Sequence, residues 1–224
     1  MKRGRRKIRF WLGPAVTAIA LALPSLAQAT NVVPNPSFEE GGCGARTPVV
    51  CGWEPSPGGS FLDRELSNAH SGDFSMVSGW TGETGSEFGP WGGQAVTVPA
   101  SCAPIGPGAH PASFWYRDAG DSSSGGPGAV YLGATFFGQA NCVRGPLASL
   151  PYAFVKEMWS TGGSWQQVAG TLVAPPGTRS ALFLIGVYSF GCGNYTWCSV
   201  SATFDDLDVE DTTMAPRARA QRAR

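Results

Sequence analysis

Glycine and proline recur throughout this sequence of 224 residues, 31 and 18 times respectively. Both residues disfavour the interior of a helix, and proline cannot donate a backbone hydrogen bond there. Between them lie short runs that are either apolar or alternate apolar with polar residues, and turn-forming residues close each run. That pattern is typical of β-strands. The sequence therefore predicts an all-β chain.

Eight runs are strand candidates. Eight short strands in about 185 residues predict a two-sheet β-sandwich, a jelly roll. Pro-Pro-Gly-Thr at 175–178 separates two of the runs and predicts a β-hairpin with one solvated and one buried strand. The stretches 81–93 and 118–128 are predicted loops. The candidate strands are FSMVSG (74–79), QAVTVPA (94–100), ASFWYR (112–117), AVYLGATFF (129–137), YAFVKEMW (152–159), WQQVAGTLVA (165–174), ALFLIGVYSF (181–190) and SATFDDLDVE (201–210).

The two ends of the chain differ from the rest. Residues 1–29 combine a basic start, a short apolar run broken by two prolines, and small residues at 27 and 29, which is the pattern of a cleaved export signal. Residues 212–224 end in APRARAQRAR and are predicted to be a disordered basic tail. We therefore expect a secreted protein with one domain over 30–211 and no transmembrane segment.

Charge narrows the classes of partner. Between Thr30 and Ala215 the chain carries six basic and sixteen acidic residues, a net charge of −10. Nucleic-acid affinity depends on Lys and Arg that neutralise phosphates, so such a body is a poor candidate for it. It is a reasonable candidate for a divalent cation.

All six cysteines follow the signal, and an even number in an exported chain predicts disulfides. There is no Cys-x-x-Cys pair of the kind that zinc sites use. Proximity alone favours Cys43–Cys51 and Cys192–Cys198 as local bridges, which leaves Cys102–Cys142 as the long-range bridge.

Several motifs, in this order along the chain, resemble carbohydrate-binding modules of the family 4, 9 and 22 type, within the galactose-binding-like jelly rolls. The resemblance covers about residues 31–210 and implies a non-catalytic domain that binds polysaccharide or glycan. It also implies a structural calcium ion held by the Ser37 carbonyl, Glu39, the Asp73 carbonyl and Asp205. The motifs are NVVPNPSFEEGG, CGW, AHSGDFSMV, SFWYR, WQQVAGTLVAPPGTRSALFLIGV and ATFDDLDV.

Strand alternation supports part of that metal set independently. Asp205 shares its parity with Leu207 and Val209, so alternation places it at the edge of the core, whereas Phe204 and Asp206 face the solvent. A carboxylate at that edge is costly unless it is paired or bound to a metal. The alternative is that Asp205 caps a turn or lies at the rim.

In the same way, NPSFEE at 35–40 is predicted to be the first strand, with Phe38 and Glu39 on opposite sides and Glu40 on the surface. Adjacent acids on one strand point to opposite faces, so neither Glu39-Glu40 nor Asp205-Asp206 makes the facing carboxylate pair of a glycosidase. His70 is predicted to be a turn residue, and neither it nor His110 lies in a recognised catalytic motif. An enzyme is therefore the least favoured interpretation.

Aromatic residues are the remaining binding candidates, because sugar rings pack against flat aromatic rings. The resemblance to carbohydrate-binding modules implies that Trp53 and Trp165 lie in the core. Of the adjacent Trp115 and Tyr116, one should face inward and the other outward. The predicted ligand-binding set comprises Trp80, Trp91, Tyr116, Tyr188 and Trp197.

Two functions remain open beside the enzyme. The first is a monomeric, calcium-stabilised domain that binds carbohydrate. The second is an extracellular structural or adhesive β-sandwich that does not bind sugar. Fold alone does not decide between them.

Overall fold

The structure is a computed structural model, and it describes most of the chain from residue 30 onward. At residues 55, 60–61, 80–83, 94–99, 158, 189 and 197–199 only the backbone is described. The predicted export signal and the Arg-rich segment from residue 214 lie outside the described residues. In the described part, no helix is long and apolar enough to span a membrane. The described ranges are 30–41, 50–55, 60–66, 68–83, 94–99, 102–118, 128–143, 145–158, 163–189 and 197–213.

Strands dominate these ranges, with one 3₁₀ turn at Ala140–Cys142. All eight predicted strands are present. Four further strands, β1, β2, β3 and β6, were not predicted. The strands are β1 (Thr30–Asn31), β2 (Trp53–Pro55), β3 (Ser60–Leu66), β4 (Phe74–Glu83), β5 (Gln94–Pro99), β6 (Ala103–Pro104), β7 (Gly108–Asp118), β8 (Gly128–Phe137), β9 (Ala148–Met158), β10 (Gln166–Ala174), β11 (Ser180–Ser189) and β12 (Trp197–Asp211).

The strands form two six-stranded sheets, which confirms the predicted β-sandwich. Sheet A has the order β10-β7-β12-β4-β3, with β1 paired to β12. Sheet B has the order β2-β5-β11-β8-β9, with β6 paired to β11. The registered pairs within both sheets are antiparallel.

The core fills the space between the sheets. Sheet A contributes Phe114 and Phe204, whose rings lie 6.0 Å apart, and sheet B contributes Phe183 and Ile185. Trp53 is fully buried, as predicted, and its ring meets Phe38 edge-on at 5.6 Å. Burial of such large apolar side chains is the main stabilising term of a sandwich.

The predicted hairpin around Pro175–Thr178 is wrong. The strand before this turn, β10, pairs with β7 in sheet A, and the strand after it, β11, pairs with β8 and β5 in sheet B. The turn therefore carries the chain from one sheet to the other. Here β10 is an edge strand with one buried face, and β11 is a central strand with a continuous apolar run. Their sequences differ in the same way as those of the solvated and buried strands of a hairpin, so the sequence could not distinguish the two arrangements.

The prediction of a strand at NPSFEE is also wrong. β1 ends before it and an isolated bridge joins Gly41 to Val50 after it, but residues 33–38 form bends and turns in which Asn35 and Phe38 have φ of 43° and 57°. Phe38 is nevertheless buried, while Glu40 is exposed as expected. Two N–H bonds from the Asn35 amide, to the Glu40 and Cys51 carbonyls at 3.0 and 2.9 Å, hold the turn.

The predicted side-chain faces of β12 are wrong, because the strand contains a β-bulge. The pairing with β7 shifts between Asp205 and Asp208, where Asp206 has φ of 46°. The extra residue changes the alternation, so Phe204 and Leu207 both enter the core. Asp205 pairs with Trp115 on the outer face of sheet A, and yet it is fully buried.

One expected disulfide is present, Cys102–Cys142, with Cα atoms 5.7 Å apart. Cys51 is also in a disulfide. Its predicted partner Cys43 lies outside the described residues, as does Cys192. Cys198 is described by its backbone alone.

Candidate functional site

Three tyrosines form a cluster on the outer face of sheet B. Tyr131 on β8 meets Tyr152 of β9 at 5.0 Å and Tyr188 of β11 at 5.8 Å between ring centroids, and the other two rings lie 6.0 Å apart. Tyr131 is fully buried, whereas Tyr152 is 50% exposed. The cluster thus has a fixed base and one ring that reaches the surface.

Strand register explains why the rings meet. On this face Tyr131 pairs with Gly186 of β11 and Val155 of β9, and Tyr188 pairs with Ala129 of β8. The small residues opposite the tyrosines leave room for the rings to lean towards one another. An irregularity in the β8–β9 pairing, between the partners of Leu132 and Ala134, coincides with the segment that carries Tyr152.

Gly133 forms the floor beside the cluster. A side chain there would overlap the backbone oxygens of Pro151 and Leu150 and the side chain of Leu184. The strands therefore approach closely, and the face stays flat next to the tyrosines.

Electrostatics make the cluster a hydrogen-bonding surface as well as an apolar one. Burial raises the pKa of the Tyr188 hydroxyl above 10.0, and the neighbouring Tyr152 and Glu157 raise it further. The Tyr188 hydroxyl therefore keeps its proton at neutral pH, and Glu157 adds an acceptor at the same edge. An aromatic surface with such groups at its rim suits a polyhydroxylated ring.

The predicted ligand-binding set is only partly in this place. Tyr188 belongs to the cluster. The prediction that Tyr116 contacts the ligand is wrong, because its ring is 1% exposed in the core and its hydroxyl donates to Gln166 Oε1 at 3.0 Å. Trp80 and Trp197 lie on β4 and β12 with only their backbone described, and Trp91 lies outside the described residues.

Sequence reasoning missed Tyr131 and Tyr152. Both lie in strands that were predicted, but the run AVYLGATFF is apolar on both faces, so alternation could not indicate which side Tyr131 occupies. In the structure, β9 also exposes the apolar residues Leu150 and Val155, which the sequence pattern did not indicate.

The outer face of sheet A also carries aromatics, but another part of the chain covers them. Trp115 faces outward, as the pairing with inward Tyr116 requires, and the His70 ring stacks on it at 3.8 Å with a 16° interplanar angle. Trp165 was expected in the core, but it does not lie there. It is partly exposed, lies edge-on to His70 at 5.8 Å, and has the Arg117 guanidinium 5.4 Å from its ring.

His70 belongs to a turn that the predicted calcium residues surround. Glu39 Oε1 accepts N–H bonds from Asp73 and Phe74, both at 3.0 Å. Asp205 Oδ2 accepts N–H bonds from His70 and Ser71, at 2.7 and 3.0 Å. The two acids therefore hold the turn at 70–74 from both sides.

The neighbouring acid, Asp206, also holds the turn at 70–74. Asp206 Oδ2 lies 2.7 Å from His70 Nδ1, and Asp206 Oδ1 accepts the Ser71 hydroxyl at 2.6 Å. The Asp206 amide donates to Asp205 Oδ1 at 2.8 Å. At the centre of the turn, a side chain on Gly72 (φ 65°) would overlap Glu39 Oε1.

The hydrogen bonds of the turn engage part of the predicted calcium set. Calcium takes six to eight oxygen ligands, and Glu39 Oε1 and Asp205 Oδ2 each accept two N–H donors here. Ser37 has no hydrogen bond to the turn within the described structure, and no group of three or more His, Cys, Asp or Glu suited to a metal occurs in the described residues. Calcium binding stays a prediction from the sequence.

Burial perturbs two acids of this region. Desolvation raises the pKa of Asp205 from 3.8 to about 6, although N–H bonds from Ser71, Asp206 and His70 oppose that rise. Desolvation also raises the pKa of Asp208, and the charge of Glu210 adds to this effect.

Comparison with known proteins gives matches in structure alone. No protein-family model matches the chain, and no curated protein matches its sequence. A tandem of two family 22 carbohydrate-binding modules from Paenibacillus barcinonensis Xyn10C matches with a TM-score of 0.51 and 16% identity, over 84% of this chain and 46% of that one.

Two further structures match less well. The family 22 xylan-binding domain of the same Paenibacillus enzyme has a TM-score of 0.48 at 16% identity, over 78% of this chain and 90% of that one. A family 61 module in complex with β-1,4-galactotriose has a TM-score of 0.44 at 14% identity, over 81% and 98%. At these identities the likeness concerns architecture, and the chain has the jelly-roll fold of carbohydrate-binding modules, as its motifs implied.

Proposed function

We propose that this protein is a secreted, non-catalytic domain that binds a polysaccharide or glycan through the tyrosine cluster on sheet B. The observation that carries this proposal is the half-exposed Tyr152 ring, packed on buried Tyr131 beside Tyr188. A sugar ring that stacks on Tyr152 would bring its hydroxyls towards Tyr188 and Glu157.

Two other observations support the proposal. The structure with the highest of the three TM-scores is a tandem of two family 22 carbohydrate-binding modules, so the fold is one on which glycan binding occurs. The basic and apolar pattern of residues 1–29 supports export to where polysaccharides are found.

Retention on insoluble polysaccharides, followed by a glycan array, tests the proposal. Tyr152→Ala removes the exposed ring and should weaken binding about fivefold, since stacked aromatic contacts contribute on the order of 1 kcal/mol. Tyr152→Phe keeps the ring and should retain most of the affinity.

Leu66→Ala is the matched control, because Leu66 is another exposed large apolar residue (61%) but lies on sheet A. It should bind as the unaltered chain does. Equal retention of Tyr152→Ala and Leu66→Ala, at equal melting temperatures, would contradict a role of the cluster. No retention of the unaltered chain on any glycan would contradict the function itself.

The exposed edge of sheet B favours a second candidate function, that of an adhesive domain. Leu147, Leu150 and Val155 are 49%, 37% and 45% exposed on or just before β9, which is an edge strand. An apolar edge strand is a template for pairing with another chain. In that case Leu150→Lys would abolish self-association in analytical ultracentrifugation, whereas a monomeric unaltered chain would argue against this candidate.

A further inference from the structure

One acidic residue lies in the same row of sheet B as the tyrosine cluster. Glu157 of β9 pairs with Ala129 of β8, and Ala129 pairs on its other side with Tyr188 of β11. Residues opposite one another in neighbouring strands point to the same face, so Glu157 and Tyr188 share the outer face. Their Cα atoms are two strand spacings apart, about 10 Å, with the small Ala129 between them. The Glu157 carboxylate therefore borders the cluster.

Strand alternation separates this carboxylate from the cation next to it in the sequence. Lys156 pairs with Val130, which belongs to the core, so the Lys156 side chain leaves β9 on the face opposite to that of Glu157. The next row of the outer face carries Val155, Tyr131 and Gly186. Of the described side chains in these two rows, only that of Glu157 is charged at neutral pH.

The rim of the cluster attracts positive charge in two ways. Burial raises the pKa of the Tyr188 hydroxyl, and the charges of Tyr152 and Glu157 add to that rise, so the negative charge of Glu157 acts at the cluster. The Tyr152 ring is 50% exposed, and the face of an aromatic ring attracts a cation through its quadrupole. A cationic ligand gains from both, whereas Glu157 repels the carboxylate of a uronic acid.

The charge of the whole body acts in the same direction. Six basic and sixteen acidic residues lie between Thr30 and Ala215, and the field of that excess concentrates cationic polymers near the surface. This attraction is general, however, and it does not choose a place on the surface. Glu157 is what gives the tyrosine cluster a local preference.

These charges distinguish sugars that stacking alone would treat alike. A neutral hexose packs its C–H face on Tyr152 and donates a neutral hydroxyl to the carboxylate. The same ring with an ammonium in place of one hydroxyl keeps the stacking and donates a charge-assisted hydrogen bond, which is about twice as strong. An acetamide in that position is neutral again.

We propose that the tyrosine cluster selects a glycan whose residues carry free amines. The ammonium donates to Glu157, while the ring that carries it stacks on Tyr152. This inference rests on the proposed function and adds the class of sugar to it.

Isothermal titration calorimetry at mildly acidic pH, where a sugar amine is protonated, tests the selection with three soluble pentamers. All three are β-1,4-linked glucopyranoses that differ at carbon 2, which carries an ammonium in D-glucosamine, an acetamide in N-acetyl-D-glucosamine and a hydroxyl in D-glucose. We expect the amine pentamer to bind about tenfold more tightly than the other two, for one charge-assisted hydrogen bond. Added sodium chloride should reduce that ratio, because it screens exposed charges.

Glu157→Gln is the decisive variant. It keeps an acceptor oxygen and removes the charge, so the ratio between the amine and acetylated pentamers should fall from about tenfold to about twofold or less, the part that the Tyr152 ring retains. Glu54→Gln is the matched control, because Glu54 is an exposed acid on β2, the opposite edge strand of the same sheet. It removes the same charge from the chain, and its ratio should stay at about tenfold.

Equal affinities of the unaltered chain for the three pentamers would overturn the selection while the proposed function stands. A ratio that Glu54→Gln lowers as much as Glu157→Gln does would overturn it too, since net charge would then account for the preference. A chain that does not bind the amine pentamer also overturns the inference. In that case, retention of the unaltered chain and of Tyr152→Ala on insoluble polysaccharides reports separately on the proposed function.

Discussion

Asp205 allows a prediction whose sign and size both follow from the structure. Its carboxyl is fully buried under the turn at 70–74, and burial raises its pKa from 3.8 to about 6. Between these two pH values the folded protein holds a proton that the unfolded chain has released. The contribution of Asp205 to stability is therefore greatest below about pH 4, and this contribution is lost as the pH rises through about 6.

The size follows from the same two values. A separation between 3.8 and about 6 corresponds to about 3 kcal/mol of unfolding free energy between acidic and neutral pH. For a domain of this size that is about 6–12 °C in melting temperature.

The assay compares urea unfolding of the unaltered chain and Asp205→Asn, in chelator, at about pH 4 and about pH 7.5. Asn cannot ionise, so the unaltered chain should lose about 3 kcal/mol relative to the variant between the two pH values. Asp63→Asn is the matched control, because Asp63 is an exposed acid on β3 of the same sheet. It should follow the unaltered chain at both pH values.

The predicted calcium ion would give the opposite sign. A cation at Asp205 stabilises the ionised carboxylate, so excess calcium would make stability rise with pH, and chelator would lower the melting temperature. An equal pH dependence of the unaltered chain and Asp205→Asn in chelator would refute the reasoning from burial. A large gain in melting temperature with calcium would refute the assignment of Glu39 and Asp205 to the turn alone.

Two further predictions concern the covalent and steric supports of the fold. In thermal unfolding, Gly72→Ala should lower the free energy of unfolding by about 2–4 kcal/mol, because the φ of Gly72 is 65° and the new methyl group overlaps Glu39 Oε1. Gly163→Ala is the control. Gly163 has a φ of 79° but open space around it, so this change should cost only about 1 kcal/mol. Replacing both Cys102 and Cys142 by Ser opens a loop of 40 residues and should cost about 4 kcal/mol in urea unfolding, with reductant expected to have little further effect at this pair.

Strand positions were predictable because they depend on local chemistry. Each of the eight predicted runs ends at Gly, Pro or another turn-forming residue, and in the structure each is a strand. The segment Ser60–Leu66 was missed because SFLDREL, with charges at three of its seven positions, shows little apolar alternation. β3 is an edge strand, and Leu62 is the one buried position among its described side chains, those of residues 62–66.

Strand neighbours and side-chain faces were less predictable, because they depend on distant residues. The single extra residue in the Asp205–Asp208 bulge reverses the face on which Asp205 lies, and no local signal marks it. The positive φ of Phe38 likewise converts an apparent strand into a turn, although its burial was foreseeable. Glu39 and Asp205 both bond to backbone amides of the turn at 70–74, and the calcium site itself stays a prediction.

The difference between the two outer faces explains why sheet B, and not the Trp-rich sheet A, carries the proposed site. On sheet A the His70 ring is parallel to Trp115 at 3.8 Å, so it covers the surface on which a sugar would stack. The bonds of Asp205 and Asp206 to the 70–74 turn hold His70 in that position. On sheet B the corresponding covering is missing among the described residues, and Tyr152 is 50% exposed. The acidic turn thus stabilises one face by closing it, and leaves the other face open for the proposed site.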